Sequence, residues 1–191
     1  MDKISKQNGN MSGALARSIA LLSVLSALTI SSNYILVGVP NVKLMDAIVF
    51  SSSLAMGARF GVILTVIIWT VYGTLNPWGF SLPTLIVCIL SEMVYILFSK
   101  IALSFKNEWS RINFYESLFL AALGFFSTFV YDIITNGFVG YLFYGSVIMG
   151  LITMNFPLPM GLMHEISNAF FFPLATPLIY GAILKVRERK I

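Results

Sequence analysis

Residues 18–42 read SIALLSVLSALTISSNYILVGVPNV, 25 consecutive positions without a charged side chain, flanked by Arg17 and Lys43. An α-helix rises about 1.5 Å per residue, so roughly 20 such residues cross the apolar layer of a bilayer. The stretch predicts a membrane-spanning helix over about 14–37. The rest of the chain has the same character. Of its 191 residues 58% are hydrophobic and 10% charged, with a mean hydropathy of +0.86. An ordinary soluble domain carries about 25% charged residues. Twelve basic and eight acidic side chains cannot cover a water-facing surface of this size. A soluble globular protein, a disordered chain and a nucleic-acid binder are thereby excluded, and an integral membrane protein is expected.

The scarce charges punctuate the remaining spans. A short span is expected over about 43–58, closing at the turn Gly57-Ala58-Arg59-Phe60-Gly61. The next covers about 60–75 and stops at the breaker cluster Asn76-Pro77-Trp78-Gly79. Further spans are expected over 82–105, 113–136 and 160–185, with the polar connection Lys106–Arg111 between the first two of these. Residues 138–154 are apolar and carry Gly140, Gly145 and Gly150. Charge arbitrates their placement, because cytoplasmic loops are rich in Lys and Arg. With six spans and both termini inside, eleven basic residues are cytoplasmic and only Lys43 is external. A seventh span would move the C-terminal cluster Lys185, Arg187, Arg189 and Lys190 outside. The expectation is therefore an all-α integral membrane protein with a single membrane domain over 1–191: six transmembrane helices in one bundle. Segment 138–154 is then an extra re-entrant or outer-leaflet helix before the last span. No cleavable signal peptide is expected, since residues 1–13 are polar and the first apolar run is long. Cys88, the single cysteine, has no intrachain partner and reads as a buried free thiol.

Ionisable groups inside spans are costly and mark function by default. Glu92, Asp132, His164 and Glu165 qualify by depth. Thr128, Asp132 and Asn136 recur at i, i+4, i+8 and share one helical face. His164 and Asn168 share another, and Cys88, Glu92, Tyr95 and Ser99 form a third, mildly polar stripe. In the six-span topology all three stripes fall at or outside the membrane midplane. The external connections add Asn33, Tyr34, Asn41, Asp46, Asn76 and Trp78. A polar pocket open to the outside is expected, closed on the cytoplasmic side by apolar packing.

Enzymatic chemistry finds little support. His164 is the only histidine, so no multi-histidine metal site is available. His164-Glu165 lacks the second His of a metalloprotease helix, and Gly140 to Ser146 lacks the Lys of a phosphate-binding loop. Asp132 reads as the only Asp within a span, which argues against a paired-aspartate protease. No catalytic residue, metal or cofactor is expected.

The first span carries small residues at Ser12, Ala16 and Ala20, and in a second register at Ser23, Ala27 and Ser31. Such faces allow close helix approach in lipid. They serve either packing within the chain or docking of another membrane subunit from the cytoplasmic side.

Several features together resemble the substrate-binding S component of an energy-coupling factor (ECF) transporter. They are six spans of this size, the alanines Ala16 and Ala20, the Pro40 loop into the second span and the Gly57–Gly61 turn. Two further segments carry the likeness: Tyr131-Asp132-Ile133-Ile134-Thr135-Asn136 and Met163-His164-Glu165-Ile166-Ser167-Asn168-Ala169. The resemblance extends over nearly the whole chain. It implies a multi-pass protein of a prokaryotic cell membrane that captures a vitamin or related micronutrient from outside. The implied partners are a transmembrane coupling subunit and two cytoplasmic ATPases. It makes Ala16 and Ala20 docking residues, and Asn33, Tyr34, Glu92, Asp132, Asn136, His164 and Asn168 the pocket. The carboxylates, Asn side chains and Trp78 suit a polar ligand, aromatic or cationic. Two other classes stay open. One is a stand-alone secondary transporter or channel subunit using Glu92 and Asp132. The other is a membrane assembly or chaperone protein with no small-molecule ligand.

Overall fold

The computed structural model describes residues 2–77, 79–155 and 160–188, with side chains from residue 13 onward except that of Met160. Trp78 and the side chain of Ser12 lie outside the described residues. Every regular element among those described is helical: α1 (Asp2–Ile35), α2 (Met45–Met56), α3 (Ala58–Thr74), α4 (Leu82–Phe105), α5 (Phe114–Tyr144), α6 (Val147–Met154) and α7 (Met163–Glu188), the last preceded by a 3-10 turn at Met160–Leu162. Four stretches are long and apolar enough to cross a membrane: Gly13–Ile35, Leu82–Phe105, Phe114–Tyr144 and Met163–Glu188. Helices α2 and α3 are apolar but shorter, at 12 and 17 residues.

The length of α2 is explained by its position. At about 1.5 Å per residue it reaches only about 18 Å, yet residues Met45 to Ala55 are all buried. It packs against α1, α3, α4 and α7, so it forms the centre of the bundle instead of a lipid-facing span. Small residues make this possible: Ala47, Ser51, Ser52, Ser53 and Ala55 let four helices close around it. The Ser51 hydroxyl donates to Thr176 Oγ1 at 3.1 Å, and Ser53 donates to the Val49 carbonyl at 2.7 Å. Gly57 alone joins α2 to α3, with φ +90°, a conformation that a Cβ disfavours. The chain therefore reverses at once.

Helix α5 runs eight residues beyond its expected end at Asn136. The segment 138–154 is accordingly not one external helix. Its first part continues α5 to Tyr144, Gly145 caps that helix in the left-handed conformation, and α6 folds back along α5. A Cβ on Gly140 would strike Gly150, so the two glycines allow backbone contact between the antiparallel helices.

The chain ends of α1 and α7 share one end of the bundle with the α2–α3 and α4–α5 joints. There Arg187 Nη1 donates to the Ala55 carbonyl at 3.0 Å and the Tyr180 hydroxyl to the Asn107 carbonyl at 2.9 Å. The α4–α5 joint is stiffened by a reciprocal cap: Asn113 Oδ1 accepts from Glu116 N, and Glu116 Oε2 accepts from Asn113 N. Lys106 pairs with Glu116 at 2.7 Å. Hydrogen bonds from Ser110 hold the Glu108 carboxyl below its ordinary pKa. The opposite end carries the α1–α2 and α3–α4 connections and the first turns of α2 and α7. The outer faces of α4, α5 and α7 expose Leu90, Leu97, Phe126, Phe170 and Leu178, an apolar belt that suits lipid.

Candidate functional site

Three helices converge on one imidazole. His164, in the first turn of α7, turns Nε2 to Asp46 Oδ2 of α2 at 2.7 Å. Its Nδ1 faces Asp132 of α5, 3.0 Å from Oδ1 and 3.1 Å from Oδ2. Asn168, one turn further along α7, donates from Nδ2 to Asp46 Oδ2 at 2.7 Å and to Thr128 Oγ1 at 2.7 Å. The Tyr95 hydroxyl of α4 donates to the same Thr128 oxygen at 3.2 Å. All six side chains are buried, and Asp132 is the most accessible at 7%. Tyr131 lies edge-on to the imidazole, with ring centres 5.7 Å apart.

Backbone approach sets this register. A Cβ on Gly124 would stand 2.5 Å from the Asn168 carbonyl oxygen, so only glycine lets α5 and α7 close up there. One turn on, Thr128 meets Asn168; one further turn on, Asp132 meets His164. The stripe read from sequence spacing is thus the face that α5 turns to α7. A ring with an acceptor on each nitrogen is satisfied when both nitrogens carry protons. Protonated on both nitrogens, the ring would bridge two carboxylates, with charge-assisted bonds of about 1.5–3 kcal/mol each offsetting the cost of burial. Asp46 gains further support from the unpaired N–H groups that begin α2.

Glu92 stands apart from this bridge. Its Oε2 accepts from Trp69 Nε1 at 3.2 Å, while Oε1 has no hydrogen-bond partner among the described residues. Asp46 Oδ1, Asn168 Oδ1 and both oxygens of Glu165 are likewise buried without a partner there.

Beside the bridge, three adjoining cavities of about 440, 400 and 360 Å³ open at this end of the bundle, and Trp69 and Asn76 line all three. Volumes of this order are typical of small-molecule sites. Asp132, Asn136, Lys43, Tyr131 and Cys88 line the 360 Å³ cavity. Lys43 is half-buried, and its Nζ lies 5.9 Å from the Trp69 ring centre and 5.8 Å from that of Tyr131.

The expected pocket residues therefore divide. Asp132, His164 and Asn168 come together. Asn136 lines the same cavity and donates to Asn155 Oδ1 at 2.8 Å, tying the end of α6 to α5. Asn33 is buried against Met45 Sδ at 3.5 Å and lines the neighbouring 400 Å³ cavity. Tyr34 donates to the Leu75 carbonyl at 3.0 Å and packs edge-on against Tyr72, which makes it a strut between α1 and α3. Glu92 sits behind Trp69, away from the cavity wall.

Two residues acquire roles that the sequence reading did not assign. Asp46 was expected in an external connection, and Asp132 as the only Asp within a span. Asp46 is instead fully buried in α2 and bonded to His164. Lys43 served only as a topological marker, although its isolation from the other eleven basic residues was a legible signal. Ala16 and Ala20 are exposed, as are Ser23, Ala27 and Ser31, so this face of α1 is not covered by the described residues.

Comparison with protein families, curated proteins and solved structures returns no match to the chain.

Proposed function

We propose that this chain is the substrate-capturing membrane subunit of an ECF-type importer. It takes a vitamin-like molecule from outside the cell and delivers it through a coupling subunit with ATP spent by two cytoplasmic ATPases. The observation that carries the reading is the 360 Å³ cavity with Lys43, Asp132 and Asn136 on its wall, in a bundle whose α4, α5 and α7 turn an apolar belt outward. In this reading α2 and α3 complete six spans, both termini are cytoplasmic, and the cavity end faces outward. The 11-to-1 distribution of basic residues supports that orientation. The exposed small-residue face of α1 supports docking to a coupling subunit, because small side chains replace the hydrophobic drive that is absent in lipid.

The mechanism follows from these parts. A ligand enters from the loop end and is held by hydrogen bonds at the Asp132–Asn136 wall. Helix α6 and the α1–α2 connection close over it. The rigid bundle then tips on the coupling subunit and presents the cavity to the cytoplasm.

The test is capture and uptake. A tagged chain co-expressed with the source organism's coupling subunit and ATPases should retain all three partners and support ATP-dependent uptake. Ala16→Trp with Ala20→Trp should abolish retention and leave the fold intact. Retention by that variant, or uptake without the ATPases, overturns the reading.

A second reading has one observation in its favour. Glu92 is a buried carboxyl with one oxygen unpartnered, as a proton-carrying group of a stand-alone secondary transporter would be.

A further inference from the structure

The charged groups around the 360 Å³ cavity are unevenly committed. Asp132 is the carboxylate on its wall, and both of its oxygens already face His164. Asp46 turns one oxygen to His164 and Asn168 and does not line the cavity. Lys43 is the cation on the wall; Asp46 and Asp132 attract it from beyond contact distance, but its ammonium makes no hydrogen bond or close ion pair among the described residues. It also lines the 400 Å³ cavity, so it stands at the junction of two open volumes. The ring faces of Trp69 and Tyr131 hold it there. An ammonium has three donors, and ring faces satisfy none of them as a carboxylate would.

Resting on the capture reading, we infer that Lys43 is an anion-binding subsite and that the captured molecule is a ring-containing carboxylate. The carboxylate takes the Lys43 donors, the flat ring lies against Trp69, and the ring's own N–H or O–H groups meet Asp132 and Asn136. The sequence reading suited a polar ligand, aromatic or cationic; this inference keeps the ring and makes the charge negative. The carboxylates divide in the folded chain: Asp132 faces His164, Glu92 accepts from Trp69, and the lysine is left facing the cavity. A charge-assisted bond in a partly desolvated site is about twice as strong as a neutral one, and loss of one partner typically weakens binding about 30-fold or more.

The lone cysteine provides a probe that requires no knowledge of the ligand, because Cys88 lines the same cavity as Lys43. The full-length chain in detergent is treated with methanethiosulfonate ethylsulfonate, an anion, or methanethiosulfonate ethyltrimethylammonium, a cation. Each transfers its thioalkyl group to the Cys88 thiolate, forms a disulfide and releases methanesulfinate. Rates are normalised to those of a free thiol. The native chain should favour the anion several-fold, less than an isolated cation would give, because Asp132 on the same wall opposes the field of Lys43. Lys43→Gln and Lys43→Met should abolish the preference, and Lys43→Arg should keep it. Equal normalised rates in the native chain, a preference for the cation, or failure of the anion to modify Cys88 overturns the inference, as does an unchanged ratio in Lys43→Gln. Mass spectrometry of small molecules that co-purify with the native chain is the second measurement: an acid lost from Lys43→Gln supports the subsite, and a cation overturns it. Neither readout involves the coupling subunit or ATPases, so failure here leaves the importer reading to its own test, and loss of subunit capture leaves the anion subsite standing.

Discussion

His164 Nε2 lies 2.7 Å from Asp46 Oδ2, although 118 residues separate the two in the chain. The contact joins the first turns of α2 and α7, and it orients an imidazole whose other nitrogen reaches Asp132 of α5. Three helices are thereby pinned at the level of the cavity floor. Removing one partner of such a buried pair costs about 3–5 kcal/mol, because the remaining charge has lost its counter-ion.

His164→Ala should be the most destabilising substitution in the bundle, since it leaves two carboxylates facing an empty space. Asp46→Asn and Asp132→Asn keep the shape and remove one charge each, so they should cost less, about 1–3 kcal/mol. Thermal melts in detergent should give the order native, then either Asn variant, then His164→Ala. Asp132→Asn should also lower ligand affinity, because Asp132 is on the cavity wall. A melt for His164→Ala equal to that of the native chain would sink the bridging role.

Glu92→Gln separates structure from transport. The amide oxygen still accepts from Trp69, so stability should stay within about 1 kcal/mol of native. Glu92→Ala, in contrast, strands a buried indole N–H and opens a void, a loss of about 2–4 kcal/mol. An importer driven by ATP should keep its uptake in Glu92→Gln at every external pH. Loss of gradient-driven uptake in that variant, with ATPases absent, would favour the secondary-transporter reading.

The Asn136–Asn155 bond of 2.8 Å fastens the end of α6 beside the cavity, where Met154 forms part of the wall. Asn155→Ala should loosen that end without disturbing the central helix. Hydrogen exchange should rise over 147–155 and stay slow over 45–56, and bound ligand should dissociate several-fold faster. Gly150→Leu should act more strongly, since any side chain there meets the α5 backbone. Unchanged exchange over 147–155 in both variants would remove α6 from the closing mechanism.

Much of the site was legible because helical spacing is a local property. Thr128, Asp132 and Asn136 share a face by arithmetic alone, as do His164 and Asn168, and the fold pairs those two faces through the close approach at Gly124. Asp46 was not legible. It lies three residues after Lys43, the one basic residue on its side, and that charge read as the edge of the membrane. Nothing local indicates that a 12-residue helix full of serine and alanine is the buried centre of the bundle. Tyr34 misled for the opposite reason: a polar aromatic beside a loop looks like a ligand contact, but its hydroxyl is consumed by the Leu75 carbonyl.

The amino-acid sequence by itself determined the solvent, the helical class and the candidate faces. Long uncharged apolar stretches, rare charges and a period of 3.6 act at short range and survive without any knowledge of neighbours. Only the tertiary structure decided how the charges are shared. Which carboxylate meets His164, and which cation is left facing the cavity, depends on contacts between residues distant in the chain, from Lys43 and Trp69 to Asp46 and His164. Those contacts follow from backbone approach and helix register. The same few charges that first excluded a soluble fold therefore carry a second message, readable only once α2, α5 and α7 are packed: Asp46 and Asp132 bond a histidine, and the lysine keeps its donors for the cavity.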